Sequence, residues 1–65
     1  MKIYINGEAR QVQASTLTEL LTELGLQDKR IAVELNQQLI PKSRHAETRL
    51  YDEAKIEIIQ AVGGG

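Results

Sequence analysis

Few residues in this 65-residue chain could do chemistry, and the most unusual stand together in the stretch Gln60-Ala61-Val62-Gly63-Gly64-Gly65. Glycine loses more backbone entropy on ordering than any other residue, so three in a row after an apolar run make a poor structural finish. The composition instead suits a thin, mobile tail over 63–65 that ends in a single carboxylate at Gly65. A C-terminal carboxyl titrates near pH 3.3–3.7, roughly, so at neutral pH it is an anion that can act as a nucleophile but resists attack by one. The rest of the chain offers little competition. Cysteine is absent, which excludes disulfides, thiolate zinc sites and catalytic thiols. The one histidine, His45, has no nucleophile or second ligand nearby in sequence, and is expected to pack within a loop. With no catalytic constellation, no metal-ligand set and no bound cofactor expected, an enzyme in its own right is the least supported class.

The composition narrows the partners as well. Lys plus Arg number 8 against 9 for Asp plus Glu, with no run of like charge, so neither nucleic acid nor an anionic membrane has electrostatic support. Partners are expected to be proteins. No apolar stretch is long enough to span a bilayer, and Met1–Gly7 reaches a turn signal too early for a signal peptide, which suits a cytoplasmic protein. The core must be aliphatic, because Phe and Trp are absent and Tyr occurs twice.

The elements that would position the tail follow from the period of the apolar residues. Met1, Ile3 and Ile5 alternate with Lys2, Tyr4 and Asn6, the pattern of a strand covered on one side. Asn6-Gly7 then suits a two-residue type I′ turn. The return strand runs over about residues 8–14, with Val12 and Ala14 inward and Glu8 and Arg10 on the same face near the hairpin tip. Leu17, Leu20, Leu21 and Leu24 change the spacing to i, i+3, i+4, i+7 and predict an amphipathic helix. Thr16 and Glu19 stand at capping-box spacing, while Gly25 and Leu26 mark its end. Ile31, Val33 and Leu35 predict another strand, followed by a turn and a short edge strand ending at Pro41. Residues 42–50 read as a loop with at most one helical turn. Residues 54–62 read as the last strand, with Ile56 and Ile58 inward and Lys55 and Glu57 opposite.

One mixed sheet of four to five strands with one helix on its apolar face accommodates this order, an α+β two-layer domain over residues 1–62. The last strand is rich in β-branched residues and has no hairpin partner before it, so a central place beside the first strand is expected. Ile59 and Ala61 break the alternation and fall on the outer face. With Tyr4 and Val62 they make a candidate protein-docking surface next to the tail.

Taken together, the tight hairpin, the capped leucine helix, the Asn36 to Pro41 stretch, the acidic turn before Ile56 and the terminal Gly64-Gly65 resemble the ubiquitin-like sulfur carriers, in particular the ThiS family of thiamine (thiazole) biosynthesis. The turn usually written Asp-Gly-Asp in that family stands here as Asp52-Glu53-Ala54, and His45 replaces a frequent aromatic. The resemblance implies a β-grasp fold and a sequence of chemistry. An E1-like adenylating enzyme of the ThiF type uses ATP to turn the Gly65 carboxylate into an acyl-adenylate, and a cysteine desulfurase supplies sulfur. The resulting thiocarboxylate donates it to a thiazole synthase of the ThiG type. Gly63 and Gly64 would pass through the partner's tunnel, where any side chain would need room. Carriers serving molybdopterin or transfer-RNA thiolation, ubiquitin-like modifiers and non-reacting binding modules share the same outline.

Overall fold

The computed structural model describes residues 1–60; the expectations for Ala61, Val62 and the glycines Gly63, Gly64 and Gly65 lie outside the described residues. Five strands, β1 (Lys2–Ile5), β2 (Glu8–Gln11), β3 (Ile31–Leu35), β4 (Gln38–Ile40) and β5 (Lys55–Gln60), form one sheet in the order β2-β1-β5-β3-β4. The last strand occupies the centre, parallel to β1 and antiparallel to β3. A single α-helix, α1 (Leu17–Glu23), covers one face, and a 3₁₀ helix (Lys42–Glu47) packs beside it.

The hairpin forms as its turn residues dictate. Asn6 and Gly7 take φ of 50° and 84°, and Ile5 pairs with Glu8 across a two-residue loop. In this register Ile3 and Ile5 point inward and are buried, while Glu8 and Arg10 share that face but stay exposed. Met1 departs from the expectation: it pairs its backbone with Val12 but leaves its side chain exposed. A second turn of the same kind joins β3 to β4, with Asn36 and Gln37 at φ of 52° and 71°. Gln37 is an uncommon residue for this conformation, which is why the sequence marks the turn but not its type.

Both ends of α1 are held by side-chain or backbone caps. Thr16 Oγ1 accepts the Glu19 N–H at 3.2 Å. The reciprocal half differs from a capping box, because the Glu19 carboxylate reaches one residue further back, to Ser15 N and Oγ, each at 2.8 Å. These bonds from Ser15, backbone first, hold the Glu19 carboxyl below its ordinary pKa. At the other end Gly25 adopts φ 75°, and the Leu26 N–H to Leu21 carbonyl and Gly25 N–H to Thr22 carbonyl bonds complete a Schellman motif.

Leu17 and Leu20 are fully buried against Ile3, Val33 and Ile56 of the sheet. Leu50 and Ala54 close the core from the loop before β5. That loop is tied to the helix start by the Leu17 N–H to Thr48 carbonyl and Leu50 N–H to Ser15 carbonyl bonds. His45 is buried within the 3₁₀ helix, its Nε2 at 3.0 Å from the Ile40 carbonyl oxygen, a packing role.

Candidate functional site

The strand that leads to the terminal glycines runs through the middle of the sheet. On one side β5 pairs with β3 as far as Ile31–Gln60. On the other its backbone contact with β1 ends earlier, because β1 turns away at Asn6; the Asn6 N–H to Ile56 carbonyl bond, 2.8 Å, is the last main-chain link. The Asn6 carboxamide then takes over: Oδ1 accepts the Ile58 N–H at 2.8 Å and Nδ2 donates to the Ile58 carbonyl at 3.2 Å. No pattern in the sequence separates this role of Asn6 from its role in the turn.

Residues of β5 alternate across the sheet. Ile56 and Ile58 face the helix, and Lys55, Glu57 and Ile59 face away. Ile59 is 53% exposed and lies beside its register partner Ala32, with Arg30 and Ile31 completing a shallow hollow. The neighbouring pair is Glu57 opposite Glu34, two like charges across strands, an arrangement that costs stability. Leu39, opposite Glu34 on β4, is 65% exposed. The outer face is thus apolar at the Ile59 end and acidic at its middle.

Tyr4 shares this face but not this cluster. Its register partner is Lys55, four residues before Ile59, a separation along the strand of about 13 Å at roughly 3.3 Å per residue. Tyr4 is also partly covered, with the Lys2 ammonium 5.3 Å from its ring centre, and a hydrogen bond to Tyr4 raises the Lys2 pKa. Ala32, which the sequence did not single out, is a nearer neighbour of Ile59 on this face than Tyr4; only pairing register could have revealed it. Among the described residues no group of three or more His, Cys, Asp or Glu is placed to hold a metal ion, and no helix is long and apolar enough to cross a membrane.

A five-stranded mixed sheet with a parallel β1–β5 centre and one helix across it is the ubiquitin-like β-grasp. The same fold occurs in a thiamine biosynthesis protein (ThiS) from Geobacter metallireducens, whose crystal structure superposes with a TM-score of 0.85 at 29% identity, covering all of both chains. The sequence profile of the ThiS family matches residues 3–65, and the chain belongs to that family. Among its relatives are the sulfur carrier protein ThiS of Escherichia coli, 33% identical over the full length of both chains, and that of Bacillus subtilis, 42% identical over 77% of this chain and 76% of the other. A thiazole synthase of Paramagnetospirillum magneticum is 46% identical over the whole of this chain, which spans 20% of that protein's length.

Proposed function

We propose that this protein is a sulfur carrier of thiamine biosynthesis, a carrier rather than a catalyst, whose reactive group is the Gly65 carboxylate. The observation that carries the reading is the family match, which runs through the β-grasp domain and on through the glycines to residue 65. The chemistry needs a carboxylate that can be presented inside another protein. One carboxylate oxygen attacks the α-phosphorus of ATP on an E1-like adenylating enzyme and pyrophosphate leaves. Activation makes AMP the leaving group, so the terminal sulfur of a persulfide supplied through a cysteine desulfurase can displace it. A thiol reductant then cleaves the S–S bond of the resulting acyl disulfide to leave the thiocarboxylate. Sulfur then stands where one carboxylate oxygen was. Three extended residues reach about 10–11 Å, and glycines 63–65 let that reach pass through a narrow tunnel without side chains to accommodate.

Thiazole synthase is the proposed acceptor. The support is that proteins named thiazole synthase, from two organisms, contain a segment similar to this whole chain. Physical linkage of a carrier-like segment to a synthase suits two activities that must exchange a reactive group. Docking is assigned to the outer face around Ile59, with Ala61 and Val62 continuing toward the tail and Tyr4 at the far end. Ile59→Asp tests this part: binding to the activating enzyme weakens while the fold persists, since Ile59 is half exposed and the helix lies on the opposite face. Unchanged affinity would contradict it. The reaction itself is tested by incubating the protein with ATP, activating enzyme, sulfur donor and thiol reductant, following pyrophosphate release and the mass gain of an oxygen-to-sulfur exchange.

A further inference from the structure

Strand β5 is held asymmetrically where it approaches the tail. On the β3 side its pairing continues to Gln60. On the β1 side the main chain has departed at Asn6, whose φ of 50° turns it into the hairpin loop, and Ile58 would have open hydrogen-bonding groups there. The Asn6 side chain presents to Ile58 an acceptor and a donor in the same sense that a strand residue would, at 2.8 and 3.2 Å. A carboxamide can do this and a carboxylate cannot, because it lacks the donor. Both bonds are solvent-exposed, so they add little to global stability. What they restrain is local: the end of a strand that frays unless both edges are held.

We propose that Asn6 is a positioning residue: its carboxamide, docked on Ile58, fixes the end of β5, and with it the placement of the Ile59 docking surface and the direction in which the strand leaves the sheet. This inference rests on the sulfur-carrier reading above. The next residue after Ile58 is the exposed Ile59, and the chain from there to Gly65 is six residues. If the take-off direction wanders, a partner that binds Ile59 no longer receives the carboxylate at the same point, and misplacement of reacting atoms by about 1 Å can cost about a hundredfold in rate.

The test uses Asn6→Gly and Asn6→Asp. Gly-Gly and Asp-Gly both suit a type I′ turn, so both variants keep the hairpin. Asn6→Gly removes the clamp without adding charge; Asn6→Asp keeps the acceptor and sets an oxygen against the Ile58 carbonyl. In the free protein, amide exchange at Ile58 becomes at least tenfold faster in Asn6→Gly and less so in Asn6→Asp, which keeps the acceptor of the Ile58 N–H, while Ile56, bonded within the main-chain ladder, keeps its rate. With the activating enzyme, kcat/KM for pyrophosphate release falls about tenfold or more. Ile3→Val, which loosens the core without touching the clamp, keeps wild-type kcat/KM and separates positioning from general destabilisation. Unchanged Ile58 exchange, or wild-type kcat/KM in Asn6→Gly, overturns the proposal. Failure of the wild-type protein to release pyrophosphate overturns instead the sulfur-carrier reading on which it rests.

Discussion

Glu23 is where the structure most clearly reverses the expectation from local rules. It is the last residue of α1, where a negative charge meets the negative end of the helix dipole, and replacing it should stabilise the helix by about 0.3–1 kcal/mol. Its carboxylate, however, reaches back to the segment between β2 and α1 and accepts the Gln13 N–H at 3.1 Å and the Ala14 N–H at 3.0 Å. Ala14 is buried, so its N–H has little access to water once the carboxylate is gone. Hydrogen bonds to a charged partner contribute about 1.5–3 kcal/mol, and an orphaned buried donor costs about 1–3 kcal/mol. The Ala14 bond sets the scale; the exposed Gln13 bond adds less. Subtracting the dipole relief, Glu23→Ala should lose about 1–2 kcal/mol, which in a domain of this size lowers Tm by roughly 5–15 °C. Glu23→Gln keeps one neutral acceptor and should recover about half of the loss. Urea denaturation with an unchanged m-value is the assay. A neutral or stabilised Glu23→Ala would refute the reasoning and leave the dipole as the larger effect.

Three other outcomes follow from the same structure. Leu20→Ala, at a fully buried position, should cost about 2–5 kcal/mol by leaving a cavity, measured by chemical denaturation. Glu53 holds a left-handed φ of 66°, so Glu53→Gly should stabilise by about 0.5–1 kcal/mol, visible as a raised urea midpoint. The Glu19 carboxyl is held below its ordinary value of 4.5 by Ser15. Its contribution is therefore fully present above that pH and is lost as pH falls through the lowered folded value. Stability measured against pH should show a smaller acid loss in Glu19→Gln than in wild type.

Much of this fold was legible because its decisive signals are local. Asn6-Gly7 fixes the first hairpin, and Thr16 with the Leu17 to Leu24 stripe and Gly25 bounds the helix at both ends. The β-branched character of residues 56–59 pointed to a central strand, which β5 is. What stayed hidden depends on contacts distant in sequence. Lys42–Glu47 is polar along its length and becomes a 3₁₀ helix by packing on α1, with His45 buried against the Ile40 carbonyl. Glu23 reads as a surface residue until its bonds to the β2–α1 segment are seen. On the outer face, Tyr4 and Ile59 share strand parity, yet the register sets them at opposite ends and brings Ala32 beside Ile59 instead. Parity is a property of each strand alone, whereas adjacency requires knowing which residues pair.

The measurement that tests the account most directly is activation of a chain lengthened by one alanine after Gly65. The extension leaves the described residues untouched and retains a terminal carboxylate, but moves it about 3.3–3.6 Å further along and adds a methyl group beside it. Pyrophosphate release by the activating enzyme should fall by about a hundredfold or more, as expected when reacting atoms lose alignment, and intact mass should show no thiocarboxylate on the time scale that converts the unextended protein. Activation of the lengthened chain at the wild-type rate would place the chemistry elsewhere and contradict the assignment of Gly65.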